Sequence, residues 1–536
     1  MRQPRIDRPH GGVRGANLSR SSVLFAGPFG RIFRAVPPAD FGPDDATSLK
    51  NLDALAAAIT SVADPNDPKD GPDAEESGIP AAYTYFGQFI DHDLTFDPAS
   101  SLQKQNDPDA LVDFRTPQFD LDNIYGRGPD DQPYLYNNDG RTFVLGSALT
   151  GADSNPQARD LQRNNPPDIP GQPKNPARAL IGDPRNDENV IVSQLQGLFH
   201  RFHNKIASDN PSWTFPRIQQ EVRFHYQWVL LHDFLPTVVS ADVIKDVLPV
   251  AKDGKLVIDK ANLKFFHFRD NAFMPLEFSA GAYRFGHSMV RPGYRLSDTV
   301  KPVPIFALGD KAVDLRGFDL RGFKPPLPNW AIDWRRFIDI VPLHYGTLTD
   351  NPDQNDPNNQ KRLQLAYKID TSLVNPLGVL PASVAVNPSV LAQRNLERGW
   401  RMRLPSGQDV ARAMGVAPLP DEQILIGKFT GDKADIVSPI AKLGDGKAFV
   451  GNCPLWAYIL AETVESTVVV KTLDGDKPIK TRKLGPVGGR IVAETFVGLL
   501  LADSSSLLNL NPLWEPPLKL NGVFGLRELI MRALEG

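Results

Sequence analysis

Tyr83-Thr84-Tyr85-Phe86-Gly87-Gln88-Phe89-Ile90-Asp91-His92-Asp93-Leu94 is the stretch on which the reading of this chain turns. Tyr85, Phe86, Phe89, Ile90 and Leu94 recur at helical spacing and predict a buried helix. His92 stands near the end of that stripe, between Asp91 and Asp93. An imidazole flanked by two carboxylates costs on the order of several kcal/mol to bury unless the charges find partners such as a metal or a cofactor. A lone histidine on an apolar helix is more often a satisfied core residue. Two acids beside it are hard to justify by packing alone.

Outward from this stretch the pattern is mainly helical. Val190, Ile191, Leu195, Leu198, Phe199 and Phe202 recur at three- and four-residue spacing, and residues 218–234 continue in the same style. Helices are also expected over residues 52–62, 275–290, 388–398, 407–414, 453–463, 489–503 and 524–534. Strand signal is confined to short pairs such as residues 466–473 with 479–484, joined by Asp474-Gly475-Asp476. The expected class is therefore mainly α, one large helical domain with long loops and a few short β-hairpins. Residues 1–75, rich in Gly, Pro, Arg and Asp, read as an N-terminal arm wrapped on the body and partly flexible. Residues 99–180 are dominated by turn formers, and a loop region that long is usually functional or ligand-stapled.

Composition narrows the function classes. The 536 residues are 41% hydrophobic and 23% charged, those of an ordinary globular protein. A net charge of -4 with no basic stripe argues against nucleic acid as a partner. The single Cys453 excludes an intramolecular disulfide and fits a reducing compartment. No apolar run is long enough for a membrane span, and the first residues show no secretory signal. The expectation is a cytoplasmic protein, or one exported without a recognisable signal peptide. Oligomeric state leaves no mark in the sequence.

Three further segments carry candidate chemistry. His287 follows Tyr283-Arg284-Phe285-Gly286, with small residues Ser279, Ala280, Gly281 and Ala282 just before. Small residues let a segment approach something flat or bulky, and this histidine reads either as core packing or as a ligand to a haem iron. Asp183-Pro184-Arg185-Asn186-Asp187-Glu188 opens the long helix, and reads either as capping and surface charge or as an arginine aimed into a pocket beside a carboxylate. Thr116-Pro117-Gln118-Phe119-Asp120-Leu121-Asp122 alternates oxygen-bearing residues. With Asp93 it could cage a calcium ion, although Asp-rich loops are usually plain turns.

Taken jointly, in this order, these segments resemble the peroxidase–cyclooxygenase superfamily, the animal-type haem peroxidases that include myeloperoxidase, lactoperoxidase and peroxinectin. The resemblance spans residues 83–506 and is strongest at residues 87–93, 283–290 and Asn395-Leu396-Glu397-Arg398. It implies a catalytic domain of that type over residues 76–536, haem b and calcium as cofactors, and hydrogen peroxide and small reductants as partners. It implies His92 as the distal histidine, Gln88 as the glutamine lining the distal pocket and Arg185 as the distal arginine. His287 is similar to the proximal iron ligand, Asn395 to the acceptor of its outer nitrogen, and Arg398 to the arginine that meets a haem propionate. Asp91 and Glu188 match the two acids that become ester-linked to haem methyl groups. Asp93, Thr116, Gln118, Asp120 and Asp122 fall on calcium positions.

The implied reaction uses hydrogen peroxide to oxidise bromide, iodide, thiocyanate or phenolic donors through a ferryl intermediate. Neutral His92 can move the peroxide proton, and Arg185 can stabilise the charge that develops as the O–O bond stretches. Two departures bear on this. Asn189 stands where myeloperoxidase has a methionine bonded to a haem vinyl, so little chloride oxidation is expected. The absence of a leader and of disulfides points to a bacterial intracellular or atypically exported member.

Two rival readings come with the resemblance. A fatty-acid dioxygenase of the same superfamily would carry a radical-forming tyrosine three residues before the proximal histidine, where this chain has Arg284. Tyr283 lies one residue further away from the histidine, turned by about 100° on a helix. The other rival is a haem-binding adhesion or structural protein without turnover, for which the sequence offers no Arg-Gly-Asp triplet.

Overall fold

A computed structural model describes residues 27–60, 74–95, 112–113, 115–168, 170–171, 177–249, 256–268, 272–307, 319–345, 362–385, 387–430 and 435–536. Among these the architecture is mainly helical, with strands confined to short pairs. Helix α1 (Asp45–Ile59) starts where Asp44 accepts from the Thr47 N–H, and buries Leu52, Leu55, Ala56 and Ile59. Helix α2 (Ala82–Leu94) carries the histidine between two acids. Helix α3 (Val190–Asp209) begins at Asn189, whose side chain accepts from the Ile191 N–H at 2.8 Å. Most of its sides are buried, polar ones included, which makes it the central helix of the body.

Aromatic packing holds α2 against α3. Phe89 stacks on Phe199 with centroids 4.5 Å apart, and Tyr226 stands edge-on to both from helix α4 (Phe215–Val229). Removing one such ring from a core costs about 3–5 kcal/mol. The stack therefore fixes the depth and rotation of the turn that carries His92.

Helix α4 widens into a π-helical turn over Leu230–Phe234, where the Leu235 N–H bonds to the Leu230 carbonyl five residues back. Pro236 has no N–H to give to His232, and the wider turn accommodates that missing donor.

The expected helix over residues 275–290 is not continuous. Leu276–Ser279 forms one helical turn, the chain breaks at Gly281 (φ -125°, ψ -90°), and Ala282–His287 continues as a 3-10 helix. A Cβ at Gly281 would lie 2.7 Å from the Glu277 carbonyl oxygen, so this break depends on glycine. The run of small residues therefore serves a tight corner rather than the face of a regular helix.

Helix α5 (Leu391–Arg401), helix α6 (Leu455–Ala461), helix α7 (Gly488–Ala502) and helix α8 (Leu526–Leu534) follow the expected pattern with shifted ends. The expected hairpin pairs Val464–Val470 antiparallel with Lys477–Lys483, in register Val464 to Lys483. Residues 27–60 lie on the body: Gly27–Gly30 pairs with Val112–Asp113 and with Met274–Pro275, and Phe41 is buried. The first part of the expected arm, residues 1–26, lies outside the described residues. Among the described residues no helix is long and apolar enough to cross a membrane.

One buried acid makes the fold sensitive to pH. Glu462 accepts the Val487 and Gly488 N–H groups at the start of α7, at 2.9 and 2.7 Å. Burial outweighs these hydrogen bonds and pushes its carboxyl from 4.5 up to about 8. The folded protein therefore holds a proton there that the unfolded chain has released, and stability declines as pH rises from about 4.5 to 8. The Glu462→Gln variant keeps an acceptor and has no proton to lose. Its stability relative to the parent is expected to grow over this range by at most about 1.4 kcal/mol per pH unit. Urea titrations at pH 5, 6.5 and 8 measure this, and a constant difference counts against it.

Candidate active site

The 3-10 turn Pro184–Asp187 lies against the end of α2 and brings two distant motifs into one cluster. His92 is buried, and its Nδ1 lies 2.7 Å from Asn186 Oδ1. Its Nε2 is 3.4 Å from Glu188 Oε1. Gln88, one helical turn before His92, donates from Nε2 to the same Glu188 oxygen. Burial works to raise the Glu188 carboxyl, but its contact with His92, then the charge of Arg185 and the Gln88 hydrogen bond, hold it below its ordinary value.

The turn is held by close backbone approaches. Gly322 donates its N–H to the Glu188 carbonyl at 2.9 Å, and a Cβ there would lie 1.8 Å from the Asp187 carbonyl oxygen. Gly182 lets the chain pass over residues 122–123, where a Cβ would lie 2.3 Å from the Asp122 carbonyl oxygen. Asp183 then caps the turn, accepting from the Arg185 N–H at 2.8 Å.

Arg185 is not a freely projecting side chain. Its guanidinium donates to Asp183 at 2.9 and 3.2 Å, to the His92 carbonyl at 3.3 Å, and to the Thr95 carbonyl. Burial works to raise the Asp183 carboxyl, and the charges of Arg185 and Arg115 drive it well below the usual range instead. Asp183 and Asn186 lie in the quoted motif, but the sequence alone assigns neither of them a role at the site. The Asp-Pro pair was a legible cap signal for the first; nothing local marked the second.

The second half of the cluster is built by the turn ending in His287 and by α5. His287 Nδ1 lies 2.8 Å from Asn395 Nδ2, and turning the amide over would offer Oδ1 to the same nitrogen. Burial, then the charge of Arg284, push the imidazole down to about 3, so it is neutral with an available lone pair. Its Nε2 has no hydrogen-bond partner among the described residues. Arg398 follows Asn395 by one helical turn on the same face of α5. Tyr283 stacks on Phe278 at 4.6 Å and also packs on Phe496.

Asp91 joins the two halves. Its charge acts on both Tyr283 and Arg284, beside His287, while Thr95 Oγ1 donates to its Oδ1 at 3.2 Å. Gln88, Asp91, Arg185, Glu188, Arg284 and His287 are all partly exposed, although their neighbours along the chain are largely buried. The residues expected at the site thus line an accessible region rather than a closed core.

Beneath α2 lies an acidic cluster. Asp93 is fully buried and neither of its carboxylate oxygens has a hydrogen-bond partner among the described residues. Ligand oxygens of Asp93, Asp120 and Asp122 lie within 4.8 Å of one another. Burial, then the charges of Asp120 and Asp122, push the Asp93 carboxyl well above its ordinary range. Thr116 Oγ1 donates to Asp120 at 2.8 Å, and Gln118 lies in the same turn with its N–H on the Thr116 carbonyl. Arg115 offsets part of the charge through Asp122 and Asp183. Three converging carboxylates with an unpartnered buried member form a hard-oxygen donor set of the kind a divalent cation such as calcium takes.

Residues 101–364 match the family model for animal haem peroxidase. The chain is 30% identical over 168 residues to a dual oxidase of Drosophila melanogaster, an alignment covering 28% of this chain and 10% of that protein. It is 26% identical over 132 residues to mouse myeloperoxidase, covering 23% of this chain and 17% of that protein. The alignments thus span less than a fifth of either relative. In fold it is similar to peroxidase A from Dictyostelium discoideum, with a TM-score of 0.59 at 15% identity over 97% of this chain and 96% of that one. It also resembles the fatty acid alpha-dioxygenase of Oryza sativa, with a TM-score of 0.50 at 14% identity over 96% of this chain and 80% of that one. Over residues 101–364, just under half of its length, the chain carries an animal haem peroxidase domain.

Proposed function

We propose that the protein is a haem peroxidase that uses hydrogen peroxide to oxidise bromide, iodide, thiocyanate or small phenols. The observation that supports this most is the pairing of two differently prepared histidines: His287, neutral with an unpartnered Nε2, and His92, tied at Nδ1 and flanked at Nε2 by Glu188. The donor set suits haem b. His287 would hold the iron through Nε2, Asn395 would orient the ring from the other nitrogen, and Arg398 would meet a propionate. Asp91 and Glu188, on opposite motifs of the site, would be the acids for ester bonds to the macrocycle. Bound haem supplies the redox chemistry that peroxide cleavage requires.

The remaining steps belong to side chains of this chain. His92 Nε2 takes the proton from one peroxide oxygen and delivers it to the other, which leaves as water. Arg185, held by Asp183 and two carbonyls, contributes a positive charge whose position is set before substrate arrives, so little reorganisation is needed. Gln88 orients Glu188 and presents an amide to a small polar molecule at the site. Asn189 at the start of α3 offers no sulfur for a third covalent link, consistent with easily oxidised donors rather than chloride.

Peroxide-driven turnover of guaiacol, iodide, bromide and thiocyanate by the haem-loaded protein tests this reading, and failure with all four would sink it. The likeness in fold to a fatty acid alpha-dioxygenase supports a second reading, lipid oxygenation. Arg284 stands three residues before His287, and the Tyr283 ring is engaged by Phe278 and Phe496. Hydroperoxide formation from linoleate and oxygen without added peroxide would favour that alternative.

Calcium in the Asp93 cluster would offset two of the three carboxylate charges and brace the end of the helix that carries His92. A ligand present at a hundredfold its dissociation constant stabilises the folded state by about 2.7 kcal/mol. Calorimetry with and without a calcium chelator is therefore expected to show a lower melting temperature on chelation, and Asp93→Asn should abolish that response. An identical melt in chelator and in millimolar calcium would remove calcium from the account.

A further inference from the structure

His92 is the first member of a buried side-chain chain that runs away from the site. Its Nδ1 lies 2.7 Å from Asn186 Oδ1; Asn186 Nδ2 donates to Gln196 Oε1 at 2.7 Å; Gln196 Nε2 lies 2.9 Å from His200 Nε2. Asn186 and Gln196 are fully buried, and His200 is 4% exposed. Gln196 and His200 are one turn apart on α3, and the His200 ring stacks on Phe143 at 4.4 Å.

We infer that Gln196 and His200 are positioning residues that, through Asn186, keep the ring proton of His92 on Nδ1 and leave Nε2 as the atom that exchanges a proton with substrate.

The argument is one of polarity. Each amide in the chain has one donating and one accepting end, so the three hydrogen bonds can run in only two senses. In the sense of the observed amide placements, His200 Nε2 accepts from Gln196, Gln196 Oε1 accepts from Asn186, and Asn186 Oδ1 accepts the His92 Nδ1 proton. In the opposite sense His200 Nε2 donates, every link reverses, and His92 carries its single proton on Nε2, where it cannot act as a base. A charged His200 would have to donate from Nε2 and would force that opposite sense. Burial, with His203 alongside, pushes the His200 imidazole down to about 3, so it stays neutral and can accept. His203 is itself occupied, by the Tyr125 hydroxyl at Nδ1 and the Arg141 carbonyl at Nε2.

The observed sense also suits a cycling base. When Nε2 gains a proton, facing Glu188 at 3.4 Å, the Nδ1 proton need not move and no link in the chain changes. Asn186, Gln196 and His200 contact no proposed substrate position, so their effect passes through His92 alone. The catalytic consequence rests on the peroxidase reading; the tautomer itself does not.

Nitrogen-15 NMR of the full-length protein labelled at histidine rings reads the tautomer directly, with any bound haem kept diamagnetic as its ferrous carbonyl. The chain has 9 histidines, and the signals lost in His92→Gln identify this ring. The parent and His200→Gln, whose amide oxygen still accepts, are expected to hold the His92 proton on Nδ1. His200→Leu and Gln196→Met, which cut the chain at different points, are expected to shift it toward Nε2 and to slow the reaction with hydrogen peroxide by about ten- to a hundredfold. An Nε2 proton in the parent overturns the inference. So does an unchanged Nδ1 proton in whichever of the two cutting variants folds. The expected tautomer response in a protein inert to peroxide would instead support the chain and defeat the peroxidase reading.

Discussion

His287→Ala is expected to yield a protein that no longer retains haem, with the Soret band lost on purification. Among the described residues His287 combines a neutral imidazole, an unpartnered Nε2 and a second nitrogen engaged by Asn395. A ligand nitrogen must be deprotonated to bind metal, and burial pushes this imidazole down to about 3, which favours the neutral ring near neutrality. Replacing the supporting side chain in Asn395→Ala frees the ring to rotate and is expected to weaken binding by about 10–100-fold rather than abolish it. Adding free imidazole to the His287→Ala protein should restore part of the haem absorbance, because the cavity left by the ring accepts the same ligand. An unaltered Soret band in His287→Ala would show that the iron ligand lies elsewhere.

His92→Leu is expected to leave haem bound and to slow the reaction with hydrogen peroxide by about 10²–10⁴-fold, the usual range for a positioned acid–base group. The two substitutions separate binding from proton transfer, because His92 and His287 sit on different segments with different partners. Leucine fills most of the imidazole volume among the buried residues of α2, so the Phe89–Phe199 stack is kept and the defect should be chemical rather than structural. Stopped-flow mixing with peroxide measures this, and an unchanged rate would remove His92 from the proton path. Arg185 cannot take over, since its Nε and Nη2 are engaged by Asp183 and by carbonyl groups at the end of α2.

The elements legible in the sequence are those whose cause is local. The stripe of residues 85–94, the Asn189 cap and the spacing of residues 190–202 each depend on neighbours within one or two turns, and α2 and α3 follow them. The run 275–290 departs from the expected helix for the converse reason. Its apolar pattern is compatible with a helix, but the corner at Gly281 depends on how closely that segment passes Glu277, Leu404 and Leu455. The acidic loop was readable as a possible cage, whereas the absence of any partner for Asp93 among the described residues is a property of packing.

By itself, then, the sequence determined a mainly helical protein and nominated His92, His287 and the acids beside them, because helical period and motif spacing are carried by adjacent residues. Only the tertiary structure decided that Asn186, rather than a carboxylate, stands 2.7 Å from His92 Nδ1, that Asp183 holds Arg185, and that His200 stands at the far end of a buried chain. Those partners are chosen by which groups three packed segments bring within about 3 Å, the reach of a hydrogen bond, and no periodicity along the chain encodes that choice.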